Sequence, residues 1–217
     1  MRAAVFREVG KPLAVERVEK PKCGATDLIL KVCNCGICGS DLHMTEAAAI
    51  QPLPAGSVMG HEFAGEIVEV GSALRGQWKE GQRVAGFPYI YCGDCAGCRD
   101  ASTGFGVCEK GVPVGLGQSH GAYAEYVRIG GTGAHRLPDN VSFREGALVE
   151  PLAVGLHAVD RAQMPRGATV LVIGAGPVGL SVMLWARFMG ARHVIVSEKS
   201  RSEEHTSELQ SHSDLVC

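Results

Sequence analysis

Four cysteines, Cys92, Cys95, Cys98 and Cys108, with gaps of two, two and nine residues, constrain this 217-residue chain more than any other feature. Four thiols so closely spaced suit a closed tetrahedral zinc site with no position left for a substrate, and such a site is structural. A second group, Cys33, Cys35 and Cys38, brings the clustered thiols to seven of the nine cysteines. This is not how a disulfide framework is spread. The start, MRAAVFREVGK, lacks the apolar core of a signal peptide, and no run reaches the length of a membrane span. The reading is therefore a reduced, cytoplasmic protein that uses thiolates for metal, with no membrane partner. A net charge of −2 and a pI near 6.4 give no basic footprint, which argues against a nucleic-acid partner.

Twenty-nine glycines, most of them between Gly36 and Gly190, predict short strands joined by tight turns. AAVFREV, LAVERV, LILKVCNC, GEIVEVGSAL, QRVAGF and YAEYVRI read as strands, and together they suggest a β-rich, barrel-like domain over residues 1–150. The pattern changes near Glu150. AVGLHAVDRAQ has helical spacing from Ala153, ATVLVIGAG is a buried strand entering a glycine turn, PVGLSVMLWARFMGA is an apolar helix, and RHVIVSE is a second buried strand. Residues 151–200 thus read as the opening βαβ of a doubly wound parallel sheet, giving an α+β and α/β chain.

GICGSDLH and GHEFAGEIVEVG hold the candidate for an open metal site. Cys38 offers a thiolate and His61 an imidazole. A catalytic zinc takes three protein ligands and keeps one position free, so Glu62 or Glu150 could be the third. Asp41 is a candidate to receive the other N–H of a metal-bound histidine.

GAGPVG, Gly174 to Gly179, follows a buried strand and opens a helix, which is the setting a dinucleotide turn requires. Gly174 makes the turn, Gly176 lets pyrophosphate approach and Gly179 packs helix on strand, with Pro177 and Val178 opening the helix whose N-terminus receives the phosphates. Glu198 ends the next strand, where an acid binds ribose hydroxyls and repels a 2′-phosphate. NAD is therefore favoured over NADP.

On these motifs the chain resembles the zinc-containing medium-chain dehydrogenase/reductase family over about residues 1–200. GHEFAGEIVEVG is similar to the family's zinc signature, and GICGSDLH to its sorbitol, threonine and butanediol dehydrogenase branch. The resemblance implies a GroES-like catalytic domain followed by a Rossmann domain. It implies oxidation of a secondary alcohol or polyol, and a homodimer or homotetramer for the full-length form. Cys38, His61 and Glu62 match the family's metal ligands. Glu150 stands where the liver-type enzymes carry a cysteine, and a glutamate there is typical of the polyol branch. Ser40 and His43 match the hydroxyl and imidazole that pass the alcohol proton to solvent. The four-cysteine lobe matches the family's structural zinc, with a last gap about two residues longer than is common.

The segment Arg201–Cys217, RSEEHTSELQSHSDLVC, has no helical or strand pattern. It looks like a translated sequencing adapter and is set aside as non-native. With two strands of the parallel sheet before it, residues 1–200 alone are expected to be inactive. Cys23, Cys33 and Cys35 read as packing or bystander thiols, His120, His135, His157 and His193 as ordinary residues, and Trp78 as a surface-turn residue. Two other readings compete: a zinc-ribbon binding module without catalysis, resting on the four-cysteine lobe alone, and a zinc-free quinone reductase, which would lack both cysteine sets.

Overall fold

Residues 1–46, 53–100 and 108–199 are described by the computed structural model, in two units: Met1–Leu148 and one starting at Val149. In the first unit β1 (Arg2–Val5) and β2 (Ala14–Arg17) form an antiparallel pair. β3 (Asp27–Cys35) is an interior strand of a larger sheet. It pairs antiparallel with β4 (Phe63–Val70), which in turn pairs with β5 (Arg83–Gly86). β6 (Tyr89–Ile90) and β7 (Val112–Pro113) make a separate two-residue ribbon. β8 (Tyr126–Gly130) and β9 (Ala134–Arg136) close the order β8-β3-β4-β5-β9. Bridges Ala3↔Ala124 and Val5↔Val58 tie the first strand to this body.

The sequence explains why β3 lies inside the sheet. Leu28, Ile29 and Leu30 are all fully buried, the continuous apolar run of a strand covered on both faces. Beyond Val32 the register with β4 shifts, and the strand ends half-exposed at Cys35. The core gathers Leu28 and Leu30 with Phe63, Ile67, Val84, Val127 and Ile129. Among the described residues three short helices decorate it: α1 (Gly39–Met44), α2 (Ala96–Arg99) and α3 (Phe143–Gly146). The last starts on a capping box in which Ser142 accepts from the Glu145 backbone and Glu145 returns the bond.

Trp78 corrects the sequence reading. It lies in a turn, yet it is only 3% exposed and belongs to the core cluster, with the Arg136 guanidinium 4.3 Å from the ring centroid. The turn fixes the backbone, while an indole burying a large apolar area turns inward whenever the sheet leaves room.

In the second unit α4 (Val149–Arg161) precedes β10 (Thr169–Ile173), α5 (Pro177–Phe188) and β11 (His193–Ser197). The two strands are parallel, with Thr169 opposite His193 and Ile173 opposite Ser197. α4 starts four residues before Ala153, because Pro151 sits in the first turn, where backbone N–H groups have no helical partner to lose. Gly155 permits close contact with α5, since a Cβ there would lie 2.1 Å from Ser181 Oγ. Val159, Val172, Leu180, Met183, Ala186 and Val194 pack around that contact. Among the described residues no helix is long and apolar enough to cross a membrane. The suspected non-native segment, Arg201–Cys217, lies outside the described residues.

Two glycine substitutions test how the first unit packs. A Cβ on Gly121 would meet Gly60 O, Gly115 Cα and Met59 O at 2.4–2.5 Å, all backbone atoms that cannot swing away. Gly121→Ala should therefore cost about 2 kcal/mol or more in denaturant unfolding. Gly76→Ala, where a Cβ meets nothing within 4 Å, should be neutral or slightly stabilising.

Candidate metal centres and cofactor turn

His61 and Glu62 enter β4 from a turn that only glycine can make. Gly60 has φ +94°, and a Cβ there would overlap the Tyr123 ring at 2.6 Å and its backbone nitrogen at 2.9 Å. Gly36, at the end of β3, gives its N–H to Glu62 O at 2.7 Å. A Cβ on it would fall 2.3 Å from Glu62 Oε2. The β3–β4 pairing thus brings Glu62 beside Cys38, which caps the N-terminus of α1. One ligand atom from each of Cys38, His61 and Glu62 falls within 4.8 Å of the others. A tetrahedral zinc with bonds of ~2.0–2.3 Å spaces its ligand atoms by ~3.3–3.8 Å, so this trio fits one after a small contraction.

The buried polar atoms around the trio fit the same ion. Asp41 Oδ1 and His61 Nδ1 face each other at 3.5 Å, both buried and neither completing a hydrogen bond. Asp41 is held from its other oxygen, which accepts the Cys38 N–H at 2.9 Å and the Tyr123 hydroxyl at 2.8 Å. A ring that turns Nδ1 to a carboxylate leaves Nε2 to bind metal. Burial works against charge on the ring, but Asp41 and Cys38 outweigh it and hold His61 at about 9. Burial also raises Asp41, yet the facing His61 ring and the bonds from Cys38 and Tyr123 bring its carboxyl below the usual range. Burial pushes Glu62 up, and it raises Tyr123 well above the usual phenol range together with Asp41.

Ser40 Oγ lies 3.5 Å from His61 Nε2. His43, one turn further along α1, has its side chain 78% exposed, with Nδ1 3.4 Å from Glu46. Glu150 stands in the first turn of α4, in the second unit. Tyr123 and Gly36 are contributors that the sequence reading passed over. Tyr123 lies 82 residues from Asp41, and no local pattern announces the bond.

The four-cysteine lobe shows the spacing of a closed site. Cys92 and Cys98 sulfurs are 3.8 Å apart, Cys92 and Cys108 3.6 Å, Cys95 and Cys108 4.0 Å. Zn–S bonds of ~2.3 Å in a tetrahedron imply ~3.8 Å between sulfurs. Backbone N–H groups aim at the sulfurs, from Cys92 to Cys108 and from Cys98 to Cys95, each at 3.4 Å. Donors of this kind, on Glu109 and Cys98, lower Cys95 to about 6, and the Cys92 N–H lowers Cys108. Asp94 pushes Cys92 up to about 12.

In the glycine turn, Gly174 has φ +101°, and a Cβ on Gly179 would lie 1.9 Å from Gly174 O. Gly176 caps α5, with Pro177 and Val178 as its first residues. Glu198 reaches back from the end of β11. Its Oε2 accepts the Ala175 N–H at 2.7 Å, which places the acid in the turn itself.

Zinc analysis tests both clusters. The purified chain should carry two zinc ions, Cys98→Ser should retain only the trio's ion, and Cys38→Ser only the lobe's. Zinc takes the neutral imidazole, and the metal-free His61 sits at about 9. The trio's zinc affinity should therefore fall about tenfold per pH unit for this proton on acidification across about pH 8 to 6. Competition with a chelator measures this, and a flat profile would contradict the assignment.

The family described as the alcohol dehydrogenase GroES-like domain matches residues 24–139. An L-threonine 3-dehydrogenase of Colwellia psychrerythraea is 36% identical over 184 residues, 84% of this chain and 52% of its own length. A sorbitol dehydrogenase of Bacillus subtilis is 34% identical over 200 residues, 91% of this chain and 56% of its own. A zinc-binding dehydrogenase of Sinorhizobium meliloti 1021, solved bound to NADP, superposes with a TM-score of 0.85 at 34% identity, covering 99% of this chain and 61% of that one. The chain spans little more than half the length of these curated relatives. With its GroES-like domain matched, relatives of 34–36% identity over more than four fifths of its length and both candidate ligand sets brought together, the chain belongs to the zinc-containing medium-chain alcohol dehydrogenase family.

Proposed function

We propose that the protein containing this chain is a zinc-dependent dehydrogenase that moves a hydride from a secondary alcohol or polyol to NAD. One observation carries the reading: Cys38, His61 and Glu62 bring three different ligand atoms within 4.8 Å of one another, a set that leaves one position of a tetrahedral zinc for substrate. A binding module would need only the closed four-cysteine site. The domain division proposed is a GroES-like zinc domain over 1–150, with its structural lobe at 92–108, and a dinucleotide-binding segment over 151–200.

Bound zinc would supply Lewis acidity to the substrate oxygen. Cys38, His61 and Glu62 are the proposed holders, with Glu150 the alternative third ligand. Asp41 fixes the ring of His61 with Nδ1 turned inward, and Tyr123 and the Cys38 N–H fix Asp41. Ser40 Oγ, beside His61 Nε2, takes the hydroxyl proton and passes it to His43. An imidazole can both accept and release a proton, and the exposed ring of His43 hands it to water. Cys92, Cys95, Cys98 and Cys108 hold the structural zinc. Gly174, Gly176 and Gly179 admit the pyrophosphate, and Glu198 takes the ribose hydroxyls. The carboxylate of Glu198 is anchored in the turn, where a 2′-phosphate would meet its charge, and this supports NAD even though one relative holds NADP.

Initial rates of the whole protein that contains this chain, with sorbitol, threonine and 2,3-butanediol, test the reading. Activity should require zinc and be higher with NAD than with NADP, and Glu198→Ala should narrow that preference. A clear NADP preference in the unaltered protein would overturn the cofactor assignment. Ser40→Ala should lower kcat by about 10²-fold with zinc content unchanged, as expected when one proton-transfer group is lost.

A further inference from the structure

A cavity of about 450 Å³ lies apart from the metal centre, between the loop that follows β7 and the segment leading to Val58. Its described polar lining consists of Lys22, Arg128, His120, Gln118, Ser57 and Ser119, and no carboxylate is among the described lining residues. It shares no residue with the Cys38–His61–Glu62 cluster or with Ser40 and His43. Asp27 makes one contact with Arg128, at 3.5 Å to a single guanidinium nitrogen. The side chains of Lys22, Gln118, Ser119 and His120 have no hydrogen-bond or ion-pair partner among the described residues.

We propose that this cavity binds a small molecule through a phosphate group. Lys22, Arg128, the His120 imidazole, the Gln118 amide and the Ser119 hydroxyl form a donor-rich set that suits a tetrahedral dianion, while Ser57 gives its own hydroxyl proton to Pro54 O at 2.7 Å. The planar fork of Arg128 matches phosphate oxygens. The volume is in the range of small-molecule pockets and exceeds what a bare phosphate fills, which favours a phosphorylated metabolite of sugar or polyol size. The site also has a mechanical connection. His120 is followed by Gly121, which donates to Val58 O at 2.8 Å and abuts the carbonyl of Gly60, the residue before His61. The proposal stands on this cavity alone and does not depend on the dehydrogenase reading.

Calorimetry on the zinc-loaded chain, at constant ionic strength, tests it with inorganic phosphate, sorbitol 6-phosphate and sorbitol. One saturable site is expected for each phosphate, and sorbitol should not displace either. Tighter binding of sorbitol 6-phosphate assigns the cavity to a phosphorylated metabolite, and equal binding assigns it to free phosphate. Lys22→Glu and Gln118→Glu change exposed side chains, so zinc content and melting should hold while phosphate affinity falls at least tenfold. Lys79→Glu, outside the cavity, should leave it unchanged. No saturable binding at millimolar phosphate, or binding undiminished in both cavity variants, would overturn the proposal.

Discussion

Three stretches of backbone cross at Gly60, Gly115 and Gly121 with no Cβ between them, and the metal centre depends on that crossing. Any side chain on Gly115 or Gly121 would lie 2.3–2.4 Å from Gly60 O, and one on Gly60 would strike Tyr123. The crossing sets where the chain enters β4, and so where His61 and Glu62 emerge. It also brings Tyr123 close enough to hold Asp41. One packing constraint therefore positions two of the three candidate ligands and the support behind one of them.

The polar pair behind the site is as informative as the ligands. Two buried atoms, Asp41 Oδ1 and His61 Nδ1, stop short of a hydrogen bond, and buried polar groups left unpaired cost stability. Without metal, the electrostatics favour a proton on His61. With metal, a neutral ring giving Nδ1–H to Asp41 satisfies both atoms. The cluster is thus arranged for one of two cations, a proton or a metal ion, and Asp41 serves either state.

The sequence was most legible where chemistry is local. The four-cysteine spacing, the GAGPVG turn and the GHE segment all rely on neighbours in the chain, and the structure brings each set together. The strand runs were legible too, because burial on both faces leaves an uninterrupted apolar string such as LIL in β3. Strand order was not, since β8 lies beside β3 across about a hundred residues without any pattern in either sequence. The same holds for Tyr123, Gly115 and Gly121, whose importance lies in what they approach in space. Trp78 misled because turn residues describe backbone and say nothing of where a large ring settles. The α3 capping box, SFRE, is a local pattern of the same kind, with Ser142 and Glu145 three residues apart.

Among the described residues, the lobe around Cys92–Cys108 has little else to hold it. Its flanking strands β6 and β7 are two residues each, and α2 is four, too short to be stable by themselves. Order there comes from four sulfurs drawn to a common centre, so zinc binding energy is folding energy for this part of the chain. Oxidation to disulfides would remove those sulfurs in pairs and leave no ligand set behind. The sheet beside it, built on buried Leu, Ile and Val, has no such dependence. In a cell, the lobe's shape would follow zinc supply and thiol redox state, while its neighbour kept a fixed form.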